Sequence, residues 1–434
     1  MKKLYFLVVL SLLLILNYSM ISFAEETPDI VGKSSILIDY STGQILYEKI
    51  SNEKFYPSST TKILAALIIL ENHHLDEIVT VDSNSPFVEG SKIFIFENEE
   101  LTVEQLLKSM LVASANDCAE ALAVYHSGSI EAFSKEMNEK AKEIGALNSN
   151  FINPHGLHDE NHYTTAYDLS LIAREAYKNP IFQEIVKMST YSIEPTEYQE
   201  ETRYMHTTNK FLNSTDLIYY KGKYITAKYN IVDGIKTGYT TVSKNNLVST
   251  AQKNGIRLIS VVFKSDPNNI YSDSRALLDY GFDNYKYHSF TFSGNKITSI
   301  PIENGTKNSA DLFSDKTITG LIPKDFNIEN IDEVINTNPI TLPISEDQVL
   351  GSIEYHVGDQ LIGRSDLITD EDIIEKTLFI TLQNHLIKKN GLGQIEYKYY
   401  INIIINILIS FVIWRTIVTI SRIRNRKKRL KKYL

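Results

Sequence analysis

Hydrophobic positions along this chain fall into regions with different patterns. From about 33 to 285, runs with a strand-like alternation of apolar and polar residues are interspersed with stretches of helical periodicity. From 286 to 390, short Ile-, Thr-, Phe- and Tyr-rich runs are separated by Asn-Gly, Ser-Gly and Pro turns, and they predict a small β-rich domain. Each end carries one long apolar segment.

The first region predicts an α/β domain with its own core. A hairpin is expected over 35–40 and 44–47, and two later strands over 247–251 and 256–263 are joined by a turn at 253–255. Helices are expected near 60–72, 102–113, 117–126, 129–144, 166–178 and 272–281. Thr165 stands three residues before Asp168, a spacing typical of a helix N-terminal cap.

The N-terminal apolar segment, residues 1–24, is predicted to be a secretory signal. Lys2 and Lys3 precede an apolar stretch, and Ser22-Phe23-Ala24 forms a small-x-small cleavage site. The alternative is an uncleaved membrane anchor. Cleavage leaves residues 25–285 as the first domain and 286–390 as the second.

The C-terminal apolar segment is predicted to cross a membrane. After a linker at 391–398, residues 399–421 form a helix of 23 residues, which is ~34 Å long and matches a bilayer core. The basic residues of 422–434 then predict a cytoplasmic tail and place the two domains on the extracytoplasmic face. The alternative is an amphipathic helix on the membrane surface, which the absence of a long polar face disfavours.

Charge separates the middle of the chain from its ends. Between the signal and Arg415 the chain carries 33 basic and 53 acidic residues, a formal charge of −20. A surface this acidic disfavours nucleic-acid binding. The single cysteine, Cys118, excludes an intramolecular disulfide and is expected to be a buried apolar side chain rather than a reactive thiol.

Three short motifs carry the candidate chemistry, and the first supplies a nucleophile. In Ser59-Thr60-Thr61-Lys62, a hydroxyl and an amine stand three residues apart at the start of a helix, which places them on one face. The apolar residues after Lys62 predict burial, which would lower its pKa so that it acts as a base toward Ser59. Ser51/Lys54 and Ser293/Lys296 repeat the pattern without that context.

The second and third motifs supply groups that handle a substrate. Ser114-Ala115-Asn116 lies between two predicted helices and offers a hydroxyl for proton relay and a carboxamide for a peptide group. Lys236-Thr237-Gly238 predicts a strand at the edge of the site, whose cation and hydroxyl suit a carboxylate and whose glycine admits a substrate backbone.

Histidines and metals give weaker signals. His73-His74 is predicted to lie in a solvated loop, and His155 in a rigid turn, Asn153-Pro154-His155-Gly156-Leu157. The chain has no His-Glu-x-x-His or paired-cysteine pattern, so the sequence predicts no metal and no other cofactor.

These motifs resemble those of the serine-type D-alanyl-D-alanine carboxypeptidases, the low-molecular-mass penicillin-binding proteins. The similarity covers 33–285 and includes 57–62, where Ser58 replaces the usual alanine, together with 112–117, 151–157 and 232–240. It implies a penicillin-recognising fold, in which an antiparallel sheet is flanked by helices and a helical lobe, followed by the β-rich domain. Many members carry an amphipathic C-terminal anchor, whereas this chain ends in a predicted span.

The resemblance also implies roles for individual residues. Ser59 would be the acylated nucleophile, Lys62 the general base and Ser114 the proton relay. Asn116, Lys236, Thr237 and Gly238 would bind the substrate, and the backbone N–H groups of Ser59 and Tyr239 would form the oxyanion hole. The implied partners are a peptidoglycan stem pentapeptide as substrate and β-lactams as covalent inhibitors, with the bilayer holding the C-terminal span. The oligomeric state is left open.

Two other functions share some of these features. A β-lactam-hydrolysing enzyme would carry the same motifs but would use a downstream glutamate to activate water, and the sequence does not identify one. A wall-binding receptor would hold peptides without turning them over, and the basic tail is its only support. Turnover of a stem pentapeptide separates an enzyme from a binder.

Overall fold

The fold is described from a computed structural model, which covers residues 27–358, 360–376 and 397–430 and the side chains of 403–422 in the last range. The predicted signal at 1–24 lies outside the described residues. Contacts divide the chain into two compact units. The larger comprises the chain up to Asn295 with Ser314–Asn336 and Ser352–Ser365, and the smaller comprises Lys296–Phe313, Thr337–Gly351 and the chain from Asp366.

The region up to Asn284 combines one five-stranded sheet and three two-stranded ribbons with seven α-helices among its described residues. The helices are α1 (Lys62–Asn72), α2 (Val103–Val112), α3 (Asn116–Ser127), α4 (Ile130–Ile144), α5 (Ala166–Ala176), α6 (Pro180–Val186) and α7 (Ile270–Asn284). The strands are β1 (Ser34–Asp39), β2 (Ile45–Lys49), β3 (Ile78–Thr80), β4 (Glu100–Thr102), β5 (Thr190–Ile193), β6 (Arg203–His206), β7 (Leu217–Tyr220), β8 (Lys223–Thr226), β9 (Val232–Thr240), β10 (Lys244–Lys253) and β11 (Ile256–Ser265).

The central sheet is antiparallel and has the order β2-β1-β11-β10-β9. Side chains alternate between its faces, so Ile36 and Ile38 join a core with the helical lobe while Leu37 joins a second core with α7. All six residues of β1 are therefore buried, which only a sheet covered on both faces allows. The order leaves β9, with the Lys236 motif, at an edge.

Helix α1 lies at the centre of the helical lobe. Every residue from Lys62 to Ile69 is buried, as the apolar run predicts. Capping fixes the neighbouring helices: Thr102 and Gln105 form a capping box at α2, and the Thr165 hydroxyl accepts from the Asp168 N–H at α5 at 3.0 Å. The predicted helices, the hairpin and the two strands of this region are confirmed, whereas α6 and the ribbons β3–β4, β5–β6 and β7–β8 were not predicted.

The chain after α7 is β-rich, as predicted. Its strands are β12 (Tyr285–Thr291), β13 (Lys296–Pro301), β14 (Ser309–Ser314), β15 (Ile318–Pro323), β16 (Ile331–Thr337), β17 (Val349–Val357) and β18 (Gln360–Ile368). β12 pairs with β15, and the other five have the order β13-β14-β18-β17-β16. The predicted domain boundaries are not tested by this arrangement and stay a prediction.

The C-terminal segment forms one helix, α8 (Tyr397–Leu430). Ile403–Arg422 is long and apolar enough to cross a membrane, and every side chain described in it is at least partly exposed. Most of the predicted linker at 391–398 lies outside the described residues, but Tyr397 and Lys398 are helical, so the last two residues of that predicted linker belong to the helix.

Candidate active site

Ser59 lies in a single 3-10 turn, Ser58–Thr61, which leads into α1. Ser58 has φ +50 and is buried, and its hydroxyl hydrogen-bonds Ser243 Oγ at 2.6 Å and accepts from Asn246 Nδ2 at 3.1 Å. These bonds tie the turn that holds Ser59 to the connection between β9 and β10, through Ser243, and to β10, through Asn246. An alanine at position 58 could not form these bonds, so Ser58 has a structural role.

Lys62 is fully buried, and its amine has three neighbours. Nζ lies 3.1 Å from Ser59 Oγ, 2.6 Å from Asn116 Oδ1 and 3.1 Å from the carbonyl oxygen of His155. A neutral amine has two N–H groups and one lone pair. Asn116 and His155 can accept the two N–H groups, which leaves the lone pair for the Ser59 hydroxyl.

The electrostatics of the site favour that neutral amine. Burial, with Lys236 nearby as a second cation, lowers the pKa of Lys62 well below its usual value, and the buried Asp117 acts in the opposite direction. Burial alone lowers the pKa of Lys236 to about 7. A neutral Lys62 can accept a proton from Ser59, whereas Lys236 is poised to be charged when it meets an anion.

Ser114 lies between α2 and α3, as predicted, and Asn116 is the first residue of α3. Ser114 is almost wholly buried and has φ +62. The Asn116 amide accepts from Lys62 and donates through Nδ2 to Glu89 O at 2.6 Å, so both ends of the amide are already held by the protein. Asn116 therefore holds the Lys62 amine in place in this structure.

The third motif lies on edge strand β9, beside the turn that holds Ser59. Lys236 is buried and its Nζ donates to Thr237 O at 3.2 Å, and Thr237 Oγ1 hydrogen-bonds Thr208 Oγ1. A Cβ on Gly238 would stand 2.8 Å from Pro57 O and 3.2 Å from Ser59 N. Gly238 thus lets the strand approach Ser59 closely, and Tyr239 follows it with an exposed side chain.

The segment around His155 is part of the site, a role that its sequence alone did not reveal. Gly156 has φ +82, and a Cβ there would stand 1.8 Å from Ser58 O. Buried His155 has Nε2 2.9 Å from Glu120 Oε1, while its Nδ1 accepts from Leu157 N at 3.2 Å. The rigid turn is confirmed, and it also holds Lys62 through the His155 carbonyl.

Asp117, Thr208 and Glu120 are further residues at the site that the sequence analysis did not identify. Asp117 follows Asn116 directly, so its position in the second motif was an available signal. Thr208 and Glu120 carried no signal, because only the fold brings them to Thr237 and His155.

The remaining copies of the serine-lysine pattern are differently placed. Ser51 donates to Glu48, and Lys54 Nζ lies 4.0 Å from the centre of the Tyr163 ring. Lys296 Nζ pairs with Asp311 at 2.8 Å.

His73 is not in a solvated loop as predicted. Its Nδ1 bonds Glu77 at 2.7 Å and its Nε2 bonds His126 Nδ1 at 2.7 Å, because the end of α1 packs beside α3. His74 is exposed. In the described part of the chain, no group of three or more His, Cys, Asp or Glu side chains could hold a metal ion.

Cys118 is buried, as expected, and both burial and Asp117 raise the pKa of its thiol. These two effects disfavour the thiolate, which is the reactive form.

Comparison with known proteins gives consistent matches. A family model described as D-alanyl-D-alanine carboxypeptidase matches residues 21–267, and one described as penicillin-binding protein 5, C-terminal domain, matches 285–375. D-alanyl-D-alanine carboxypeptidase DacF of Bacillus subtilis (strain 168) is 33% identical over 358 residues, which are 81% of this chain and 87% of that protein.

Further relatives support the same grouping. D-alanyl-D-alanine carboxypeptidase DacD of Escherichia coli (strain K12) is 28% identical over 380 residues, 84% of this chain and 92% of that protein. The crystal structure of penicillin binding protein 5 from Haemophilus influenzae matches with a TM-score of 0.67 at 26% identity, and the match covers 80% of this chain and 99% of that one.

Proposed function

This chain belongs to the D-alanyl-D-alanine carboxypeptidase family, and on that premise we propose which of its residues carry each step of the reaction. The family hydrolyses peptidoglycan stem peptides through a serine acyl-enzyme and binds β-lactams. The chain is accordingly a serine-type enzyme of cell-wall remodelling that has the penicillin-binding protein fold.

In the acylation step, the neutral Lys62 amine takes the Ser59 proton while Oγ attacks the carbonyl carbon of the penultimate D-alanine. The backbone N–H groups of Ser59 and Tyr239 receive the developing oxyanion. The C–N bond then breaks, and the terminal D-alanine leaves with a proton relayed through Ser114. The contact of 3.1 Å between the Nζ of fully buried Lys62 and Ser59 Oγ is the observation that carries this proposal.

In the same scheme, Lys236 and Thr237 hold the terminal carboxylate of the substrate, and Asn116 positions both the base and the peptide. Gly238 lets β9, along which the peptide backbone would lie, approach the Ser59 turn closely. A water molecule then attacks the acyl ester, which releases the shortened peptide and returns the proton to Ser59. Burial of Lys236 supports its role, because a substrate anion would compensate a charge that is otherwise costly there.

The test compares Ser59→Ala with Ser51→Ala in the full-length protein in detergent. Ser59→Ala abolishes both D-alanine release from a D-Ala-D-Ala pentapeptide and covalent labelling by fluorescent penicillin. Ser51→Ala retains both activities, because Ser51 is bonded to Glu48 away from the base. D-alanine release by Ser59→Ala at the wild-type rate would show that another residue is the nucleophile.

We also propose that α8 crosses the membrane once, with the catalytic region outside and the basic tail in the cytoplasm. The length and composition of Ile403–Arg422 and the basic residues after it support this topology. It requires separating the exposed Arg422–Glu346 pair (3.3 Å), whose contribution of at most about 1 kcal/mol does not oppose insertion. An impermeant thiol reagent on intact cells should label Ser293→Cys but not Lys432→Cys; labelling of the latter contradicts the topology.

A further inference from the structure

A histidine and a glutamate lie beside Lys62, and the reaction scheme above uses neither side chain. His155 Nε2 lies 2.9 Å from Glu120 Oε1, and both side chains are mostly buried. Glu120 belongs to α3, whereas His155 belongs to the turn at 153–157. We call these two residues the histidine–glutamate pair. Burying a carboxylate costs free energy even when the group is paired, so the pair calls for an explanation.

Helix α3 holds the Lys62 amine by two routes. Asn116 and Glu120 stand about one helical turn apart, so their side chains lie on the same face of α3. Asn116 Oδ1 accepts directly from Lys62 Nζ at 2.6 Å. Glu120 bonds the His155 ring, and the backbone oxygen of His155 accepts from Lys62 Nζ at 3.1 Å. Both acceptors of the amine are therefore held by one face of α3.

The hydrogen bonds of the His155 ring define its protonation state. Leu157 N donates to Nδ1 at 3.2 Å, so Nδ1 carries the lone pair. The ring proton is then on Nε2, which donates to Glu120. Burial lowers the pKa of His155, the hydrogen bond to Glu120 opposes that effect, and the charge of Lys62 adds to it. The neutral ring thus has both nitrogens satisfied, which fixes its orientation.

The turn itself is also shaped by bonds that do not involve the pair. Gly156, directly after His155, has φ +82, which bends the chain sharply. Asn153 braces this bend from within the turn. Its Oδ1 accepts from Gly156 N at 2.7 Å, and its Nδ2 donates to Leu157 O at 3.0 Å. These bonds set the shape of the turn, whereas the bond from His155 to Glu120 fixes the turn against α3.

We propose that the histidine–glutamate pair positions the general base: it holds the His155 carbonyl at Lys62 Nζ and so keeps the lone pair of the amine directed at Ser59. This inference rests on the proposed function, because it concerns the base that activates Ser59. Without the pair, the carbonyl can move away from the amine. The amine then keeps one fixed acceptor instead of two, and its lone pair no longer has a single direction. In this scheme neither residue touches the substrate, so both are positioning residues.

The experiment measures penicillin acylation by the full-length protein in detergent, with the acylation rate constant separated from the dissociation constant of the initial complex. Glu120→Ala removes the acceptor, and His155→Asn keeps an oxygen for the Leu157 N–H but is too short to reach Glu120. Each should lower the acylation rate constant by about tenfold to a hundredfold and leave the dissociation constant within about twofold. The double variant should lose no more than either single variant, because both substitutions remove the same contact.

A conservative variant and a second pair on the same helix serve as controls. Glu120→Gln keeps an acceptor for the Nε2–H of His155 and should restore the acylation rate constant to within about threefold of wild type. His126→Asn and Glu136→Ala break a similar pair, in which His126 Nε2 lies 2.8 Å from Glu136 Oε1. Because His126 is in the last turn of α3, away from Lys62, these two variants should leave both constants at their wild-type values.

The outcomes separate a positioning role from a purely structural one. A wild-type acylation rate constant in Glu120→Ala overturns the inference, and so does an equal loss in the His126 and Glu136 variants. A loss in Glu120→Gln as large as in Glu120→Ala assigns the effect to charge and also overturns it. Circular dichroism shows whether each variant is folded. If Glu120→Ala is not, Glu120→Asp, which keeps the charge but shortens the side chain, carries the same expectation.

The proposed function fails by a different result. If Ser59→Ala is still acylated by penicillin, the nucleophile is another residue, and the inference falls together with the scheme. If Ser59→Ala is not acylated while Glu120→Ala keeps the wild-type rate constant, only the positioning role falls.

Discussion

The serine-lysine pattern occurs twice within twelve residues of this chain, with different consequences. In the copy at Ser59 and Lys62, the two side chains meet at 3.1 Å on the first turn of a buried helix. In the copy at Ser51 and Lys54, the serine donates to Glu48, and the lysine is exposed beside the Tyr163 ring.

The difference shows that sequence spacing alone does not make a catalytic pair. A helical turn brings residues three apart onto one face, whereas the turn around Ser51 separates them. Burial then supplies the lowered pKa, which spacing alone cannot provide. Lys62 loses its hydration and lies near a second cation, which lowers its pKa, while Lys54 keeps its contact with water.

The largest expected effect comes from replacing Lys62 by arginine, and the same replacement at Lys54 is the control. Lys62→Arg should reduce penicillin acylation and D-alanine release by about a thousandfold, because a guanidinium cannot lose a proton to become a base. Lys54→Arg should leave both rates at the wild-type level. The rates are measured with fluorescent penicillin and a pentapeptide; a Lys62→Arg variant within tenfold of wild type would remove Lys62 from the role of general base.

The second prediction concerns the close packing of Gly156 against the Ser59 turn, which the copy at Ser51 and Lys54 lacks. Gly156→Ala should lower the free energy of unfolding by about 3 kcal/mol or more, because φ is +82 and the new Cβ would meet Ser58 O. The control is Gly128→Ala, at φ +77 with nothing within 4 Å of a Cβ, which should cost only about 1–2 kcal/mol.

Urea unfolding followed by circular dichroism measures both variants. Gly156→Ala should also lose penicillin acylation at temperatures where it remains folded, since Ser58 precedes the nucleophile. Equal destabilisation by the two substitutions would show that the 151–157 segment does not clamp the Ser59 turn.

The smallest effect is a pH dependence that follows from the two buried lysines. kcat/KM should fall by about tenfold per pH unit above about 7, because Lys236 loses the charge that holds a carboxylate. It should also fall toward acid pH as Lys62 becomes protonated. Lys236→Arg should remove the alkaline decline, and a profile that keeps it would assign that limb to another group.

Stability should respond to pH in the opposite sense. Lys236 has a folded-state pKa of about 7 against an ordinary value of 10.5, so between these values the unfolded chain binds more protons. The free energy of unfolding should therefore rise with pH across this window. Lys54→Arg serves as the control for the pH dependence of kcat/KM and of the free energy of unfolding, because Lys54 is exposed.

Much of the fold was predictable from local patterns. The apolar run after Lys62 predicts a buried helix, and Thr165 with Asp168 predicts the start of α5, because capping and periodicity act within a few residues. The helix α6 and the three small ribbons were not predicted. Their segments are short, from three to seven residues each, and give too few periods for a pattern to appear.

The candidate site was predictable only in part. The motifs contain Ser59, Lys62, Asn116 and Lys236, but not the partners that hold them. Glu120 reaches His155 across 35 positions of sequence, and such pairs arise from the packing of a turn against a helix, which no local pattern encodes.

The sequence by itself determined which groups are available: a serine and a lysine one turn apart, a glycine on an edge strand, and an apolar helix that must be buried. Only the tertiary structure decided that the Lys62 amine has two hydrogen-bond acceptors and one free lone pair. It also decided that Lys236 lies close enough to lower the pKa of Lys62. The physical reason is the distance along the chain over which each effect acts. Helix register and apolar burial act between neighbours in sequence, whereas desolvation and charge depend on every segment that the fold brings together.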